Sequence, residues 1–490
     1  MLSTSEYDRM NTQIPAERTP NGLIEQMMRR ASGARSRHGN RIELLLDCTE
    51  NFPAWEEALL AAQESICIEM YIFAPDAFGT RLRQILLDKL AAGVQVALVY
   101  DWIGSLNAHL RGFFKPLVAA GAEVRPYNPL GWISGIGLLS RNHRKSFIID
   151  EKIAFVSGLC ISIAWKGKPE KGIEEWRDTG LKLQGPIVQD VLDAFEDTLV
   201  SQGGTPLDLR RIESADAEPA GSARARLLAT TPANINTMRL DLNVIGLASQ
   251  NLWITDAYFM PTRMYVQALI NAANAGVDVR ILVPRTSDIK WIGTVSRTQY
   301  RPLLEAGVRV FEWDGTMIHA KSALIDGQWA RVGSTNLNLS SWYGNRELDV
   351  SIEDPDTVYQ LERVFLNDLN HATEVILNEQ AHAELKEARQ RLFKGARRLN
   401  KGQAKAVMRQ AIQLSHAFDT TMSGTRLVDE SEVWSYLTIG IAILLLMLLI
   451  WFMPQIITWP LMLVMLIGGI GTVFHAAKQL AAFRKRQHPK

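Results

Sequence analysis

From Arg41 onward, short apolar runs alternate with stretches in which apolar residues recur every three or four positions. Residues 42–46 (Ile-Glu-Leu-Leu-Leu) read as a strand, 55–64 as a helix and 66–73 as a strand with little polar relief. Residues 80–92 have helical spacing and end at Gly93, a residue suited to the left-handed turn after a helix. Residues 94–100 form a continuous apolar run, the pattern of a strand covered on both faces. A further helix closes at Ala120-Gly121 and Val124 opens another strand. Such alternation predicts an α/β layer architecture.

The same order then returns. Ser65-Ile66-Cys67-Ile68 matches Asn251-Leu252-Trp253-Ile254, and Ala92-Gly93-Val94 matches Ala275-Gly276-Val277. Ala120-Gly121-Ala122-Glu123-Val124 matches Ala306-Gly307-Val308-Arg309-Val310. Trp176-Arg177-Asp178 matches Asn345-Arg346-Glu347, and Gly185-Pro186 matches Asp354-Pro355. Landmarks in one order predict an internal duplication. Residues 202–223, rich in Gly, Pro, Ser, Ala and charge, separate the copies. The predicted organisation is a tail (1–40), a first half (41–201), the linker, a second half (224–375), a basic helical connector (376–432), an apolar hairpin (433–476) and a basic tail (477–490). The first half carries two inserts. One, 129–139, is apolar and Gly-rich, and reads either as a buried strand and turn or as a lip beside a site. The other, 163–174, is polar.

The hairpin changes the picture most. Residues 434–453 and 456–475 carry no charge, and each is long enough to cross about 30 Å of hydrocarbon as a helix. The turn between them, Pro454-Gln455, is short, so both ends lie on one side. Lys478, Arg484, Lys485, Arg486 and Lys490 follow, and a basic segment (385–416) precedes. The excess of cations predicts a multi-pass protein of the inner membrane with its bulk in the cytoplasm. Residues 1–20 are polar and do not form a secretory signal. Leu23, Ile24, Met27 and Met28, followed by Arg29, Arg30, Arg35 and Arg37, read either as a membrane-surface helix or as a short helix packed on the body. Overall charge is balanced, 53 Lys+Arg against 52 Asp+Glu, which disfavours a nucleic-acid partner. Cys48, Cys67 and Cys160 form no C-x-x-C pair, so neither a zinc knot nor a disulfide framework is expected.

The chemistry lies in a doubled motif. His143-Arg144-Lys145 with Asp150, and His319-Ala320-Lys321 with Asp326, both read H-x-K-x4-D; Gly333-Ser334-Thr335-Asn336 follows the second. His and Lys two apart point the same way if the segment is a strand. Two histidines and two lysines gathered at one point suit a phosphodiester. The lysines neutralise phosphate oxygens, and Ser334 and Asn336 add neutral donors. One histidine can attack phosphorus and the other can move the proton. Asp178 and Glu347, at equivalent repeat positions, are the candidates for a carboxylate behind each imidazole. Asp150 and Asp326 are expected to anchor the site by hydrogen bonds. A lysine beside each histidine would repel a cation, so no metal is expected.

This doubled motif resembles that of the phospholipase D superfamily. Tyr100-Asp101-Trp102-Ile103-Gly104-Ser105, Trp176-Arg177-Asp178-Thr179-Gly180 and Gly333-Ser334-Thr335-Asn336-Leu337 resemble bacterial cardiolipin synthases in particular. The resemblance spans about residues 41–370. It implies two phospholipase D-like α/β/α sandwich lobes with pseudo-twofold symmetry and one site between them, without metal or cofactor. It also implies phosphatidyl transfer between phospholipids, typically phosphatidylglycerol, with release of glycerol. His143 is the expected nucleophile and His319 the expected acid/base. The chain departs from the family at Cys160, where Asn is frequent, and at Asn338 and Ser340, where synthases commonly show Asp and Arg. These departures leave the acceptor alcohol open, with hydrolysis to phosphatidic acid or a different donor such as phosphatidylethanolamine as alternatives. A nuclease is disfavoured by the charge balance, and a non-catalytic scaffold by two intact motifs.

Overall fold

The computed structural model describes residues 20–129, 140–209, 218–232 and 234–377. The apolar hairpin, nearly all of the connector, the basic tail and most of the 129–139 insert lie outside the described residues. Among the described residues no helix is long and apolar enough to cross a membrane.

Helix α1 (Pro20–Ser32) buries Met28 and Ala31 and leaves Leu23 and Ile24 exposed. It packs on the body, the second of the two readings. The first half continues with β1 (Arg37–Leu46), α2 (Asp47–Ala61), β2 (Ser65–Met70), α3 (Ala77–Ala91) and β3 (Gln95–Asp101). Then come α4 (Leu106–Leu110), α5 (Lys115–Ala119), β4 (Glu123–Tyr127), β5 (Ser146–Ile149), β6 (Ile153–Ser157), β7 (Thr179–Gln184) and α6 (Ile187–Ser201). The second half contains β8 (Ala223–Thr230), α7 (Asn236–Leu247), β9 (Asn251–Thr255), α8 (Arg263–Asn274), β10 (Asp278–Pro284) and α9 (Lys290–Arg297). It ends with α10 (Tyr300–Glu305), β11 (Arg309–Trp313), β12 (Ser322–Ile325), β13 (Trp329–Gly333), β14 (Glu347–Ile352), α11 (Pro355–Leu369) and β15 (Ala372–Val375). Helix α2 starts well before the expected position 55. Pro53, which reads as a helix breaker, sits inside it.

Hydrogen bonding orders the sheet identically in both halves. From the centre outward the first half runs β1-β7-β6-β5-β2-β3-β4, and the second runs β8-β14-β13-β12-β9-β10-β11 with β15 added at the edge. In each half three strands are parallel, β2-β3-β4 or β9-β10-β11. All six residues of β2 are buried, as expected of a parallel strand covered on both faces. The halves are not separate bodies. Strand β1 pairs with β8 through Arg37↔Ala225 and Asn40↔Ala223, and one sheet of 15 strands results. A shared core binds them further: Val156 and Leu183 of the first half and Val332 and Val350 of the second join Phe195 of α6 and Phe365 of α11.

Buried arginines tie the halves together. Arg177 donates through Nε to Asp368 of α11 at 2.9 Å and through Nη1 to Asp47 of α2 at 3.2 Å. Arg144 donates to the carbonyl oxygens of Glu347, Ala194 and Thr230. Within the second half, Arg331 is enclosed between Asp241 and Asp349. Buried guanidinium groups are tolerated only when their donors are met, and here each spans two or more elements.

Candidate active site

Each motif crosses from its own half to the other before its strand begins. Asn142 forms a parallel bridge with Arg346, and Ile318 with Arg177. The His143 amide donates to the Arg346 carbonyl at 2.9 Å, and the His319 amide to the Arg177 carbonyl at 2.7 Å. Strands β5 and β12 start only at Ser146 and Ser322. The H-x-K residues therefore precede the strand, contrary to the expectation that they lie in it, because their backbone is engaged with the opposite half. Each lysine turns back on its histidine: Lys145 Nζ donates to the His143 carbonyl and Lys321 Nζ to the His319 carbonyl. Asp101, fully buried, fixes the approach to His143 by accepting the Asn142 amide at 2.9 Å.

This crossing decides which carboxylate serves which imidazole. Glu347 Oε2 lies 2.8 Å from His143 Nδ1, and Asp178 Oδ2 lies 2.7 Å from His319 Nδ1. Each histidine is served by the half it does not belong to. With Nδ1 engaged, each ring is left with Nε2 for a substrate. Both carboxylates are completely buried. Burial alone would raise their pKa values, but His319 and Lys321 hold Asp178 below the usual range, and His143, Lys145 and Ser334 do the same for Glu347. The supports differ in kind. Ser334 Oγ donates to Glu347 at 2.6 Å and Asn345 Nδ2 at 3.1 Å. Asp178 accepts the Thr179 amide at 2.8 Å and the Trp165 indole at 3.4 Å.

Where the second half has Ser334, the first has Gly158, and a Cβ there would stand 2.3 Å from Asp178 Oδ1. Gly158→Ala is therefore expected to push Asp178 off its imidazole. In proton NMR the downfield Nδ1–H signal of His319 should vanish while that of His143 persists; two unchanged signals would contradict this.

Both imidazoles are held neutral by burial. His319 is lowered to about 4, with Lys321 adding to the effect, and His143 is lowered as well. Burial likewise lowers both lysines, Lys321 to about 8. Aromatic rings wall the site, and of these only Trp176 stands out in the sequence. Tyr71 lies edge-on to His143 at 5.0 Å and under Lys145 at 5.2 Å; Tyr258 repeats this for His319 at 5.8 Å and Lys321 at 5.8 Å. Trp165 and Trp176 close around His319 at 5.6 and 5.7 Å. The signal available was position: Tyr71 and Tyr258 follow the parallel strands β2 and β9, whose C-terminal ends are the usual place for a site.

Two other expectations shift. Ser334 is not free to meet a phosphate, since its hydroxyl donates to Glu347 and accepts the Leu348 amide at 2.9 Å. Asn336 buries its Oδ1, an acceptor, with no hydrogen-bond partner among the described residues; toward a phosphate only its Nδ2 can donate. Cys160 occupies the matching turn, with the Ser162 amide on its carbonyl at 2.9 Å as Asn338 is on that of Asn336 at 2.8 Å. Asp150 and Asp326 lie at the far ends of β5 and β12. Asp150 accepts the amides of Gln63, Glu64 and Ser65, and Asp326 those of Ser249, Gln250 and Asn251. They brace the turns into β2 and β9 and hydrogen-bond to no histidine or lysine of the motif.

The family model described as "Cardiolipin synthase, PLD-like domain" matches residues 56–163 and 242–369. Cardiolipin synthase 2 of Bacillus anthracis is 32% identical over 330 residues, 66% of this chain and 64% of that protein. Cardiolipin synthase of Geobacillus kaustophilus is 30% identical over 369 residues, 74% of this chain and 73% of that protein. The chain thus spans about two thirds of the length of these relatives. Among solved structures, phosphatidylserine synthase of Haemophilus influenzae Rd KW20 aligns with a TM-score of 0.57 at 17% identity, covering 76% of this chain and 98% of that one; the likeness is one of fold. Both motif histidines fall within the matched segments, and the chain belongs to the cardiolipin synthase family of phospholipase D-like proteins.

Proposed function

We propose that the protein is a membrane-bound phosphatidyltransferase that moves a phosphatidyl group between phospholipids, phosphatidylglycerol in the first place. The observation that carries this reading is the crossed pair of His–carboxylate dyads with a lysine turned back on each histidine. His143 Nε2 attacks phosphorus and the bond to the leaving alkoxide breaks. His319, protonated as the anionic phosphate offsets its burial, gives its proton to that alkoxide and glycerol departs. The now neutral His319 takes the proton of the incoming lipid hydroxyl, whose oxygen displaces His143 from phosphorus. Lys145, Lys321 and Asn336 hold the non-bridging oxygens, and Glu347 and Asp178 steady the cationic imidazoles.

Duplicated lobes and a C-terminal membrane hairpin (434–453 and 456–475) belong to the same reading. The repeated strand order supports the first, and the absence of charge in those two stretches supports the second. Purified full-length protein given phosphatidylglycerol is expected to release cardiolipin and glycerol. Phosphatidic acid as the sole product would replace the transferase with a hydrolase.

The site sets a pH profile. On the alkaline side kcat/KM is expected to fall as pH passes about 8, where Lys321 loses its proton and its charge. On the acid side it falls as His143, the nucleophile, gains a proton, at a pH below the usual imidazole range because burial lowers its pKa. Lys321→Arg should move only the alkaline limb, upward, since a guanidinium keeps its charge. An alkaline limb that stays in place in this variant would remove Lys321 from the role.

A further inference from the structure

Several large exposed apolar side chains stand next in sequence to residues that wall the site, at the end of the strands near the histidines. Ile103, 42% exposed, precedes Gly104, where a Cβ would meet the Tyr71 carbonyl at 2.3 Å. Ile163, 44% exposed, lies two residues before Trp165, whose indole reaches Asp178. Ile289 and Trp291, the latter 61% exposed, follow Asp288, which accepts the Tyr258 hydroxyl at 2.9 Å. Leu339, 60% exposed, follows Asn338, whose Nδ2 donates to the Tyr258 carbonyl at 3.3 Å. The ring draws on both halves, and its members come from four separate segments, Trp291 from the start of α9.

Cations are interleaved with it. The 163–174 insert, closed by a bridge between Lys168 and Ile173, exposes Lys166, Lys168 and Lys171, none of which forms an ion pair among the described residues. Glu170 and Glu174 share the loop but leave it one charge positive.

We propose that this rim is a docking face for an anionic phospholipid bilayer, separate from the C-terminal apolar stretches. It rests on the phosphatidyltransferase reading. A site for the phosphodiester of a membrane lipid meets its substrate at headgroup depth. A surface pressed flush against the membrane needs apolar residues that pass between headgroups and lysines that meet their phosphates. The ring around the histidines supplies both. The opposite ends of the strands give an internal control: Leu60 and Leu247 are 51% and 48% exposed, beside the turns that Asp150 and Asp326 brace.

The test uses full-length protein in vesicles of phosphatidylglycerol and phosphatidylcholine. A fluorophore placed on Trp291→Cys or Leu339→Cys is expected to be quenched by lipids spin-labelled high in the acyl chain, and the same probe on Leu60→Cys or Leu247→Cys to be unaffected. Equal quenching at all four positions, or none at 291 and 339, overturns the proposal. Burial of the 291 and 339 probes without lipid, together with a dimer mass, assigns the face to a second copy and overturns it too. Trp291→Glu with Leu339→Glu is expected to lower the rate on vesicles roughly tenfold and leave the rate on dispersed short-chain phosphatidylglycerol unchanged. Equal loss on both substrate forms counts against docking. If the probes are quenched as expected but neither form yields a transfer product, the docking face stands and the transferase reading fails.

Discussion

His143→Ala is expected to lower phosphatidyl transfer by about four orders of magnitude without unfolding the protein. The imidazole is the proposed nucleophile, and the variant loses the covalent route altogether. Its removal should be structurally mild: the backbone amide of residue 143 keeps its bond to Arg346, and Glu347 keeps the Ser334 and Asn345 donors. His319→Ala is expected to be similarly inactive, and the double variant no worse than either single one, because the two rings act as a unit. Glu347→Gln keeps the shape but not the charge, and should retain more activity than His143→Ala. The decisive measurement is covalent. Wild-type protein quenched in alkali during turnover of lipid labelled in its phosphate should carry an acid-labile adduct on the peptide containing His143. An adduct on the His319 peptide would exchange the two roles.

Arg331→Met is expected to destabilise the protein by roughly 3–5 kcal/mol, the usual result of removing one partner from a buried ion pair. Arg331 Nε and Nη2 reach the two oxygens of Asp241 at 3.0 Å each, and Nη1 reaches Asp349 at 2.9 Å. All three side chains are buried. Without the guanidinium, two carboxylates in α7 and β14 face an apolar interior. Burial already pushes both upward in the intact protein, with Arg331 opposing it. In the variant their folded pKa values rise further above the unfolded ones, so the folded form binds protons more readily. Stability then falls as pH rises, and the deficit against wild type should shrink on acidification. Urea unfolding of both proteins at neutral and mildly acidic pH measures this. A difference below about 1 kcal/mol at neutral pH would mean that water or relaxation satisfies the pair. The loss should also reach the site, since Asp349 accepts the Thr335 amide at 3.3 Å and Thr335 precedes Asn336.

Much of the architecture is legible in the chain because burial leaves a strong pattern. The run at 94–100 is β3 to within a residue at each end, and the helix expected at 80–92 is α3, begun three residues early by Asp76, whose side chain accepts the Gly79 amide. Duplication located Asp178 and Glu347, since two carboxylates at one repeat position stand out even when the surrounding sequence has drifted. Their crossed assignment was not legible. Spacing says that residue 143 resembles 319, but nothing in it says which half a side chain leans toward. That follows from the bridges at Asn142 and Ile318, which are long-range backbone pairings. Ser334 was misplaced for a related reason: a hydroxyl two residues before Asn336 reads as a phosphate donor until the carboxylate it serves is seen beside it. The aromatic wall is hidden because Tyr71, following the apolar run of β2, looks like ordinary core, while Trp165 and Trp176 stand among polar residues that give no hydrophobic pattern.

The crossed dyads also constrain how such a protein can change over generations. A substitution at Asp178 is felt by the histidine of the other copy, and one at Glu347 by the histidine of the first. Neither copy can be inherited, lost or traded alone without disarming both imidazoles. The usual freedom of a duplicated segment, in which one copy decays while the other keeps the trade, is closed here. The supports are unequal, Gly158 with a short aspartate and Ser334 with a longer glutamate, so an exchange of the two carboxylates would have to be matched by a change at 158 and 334.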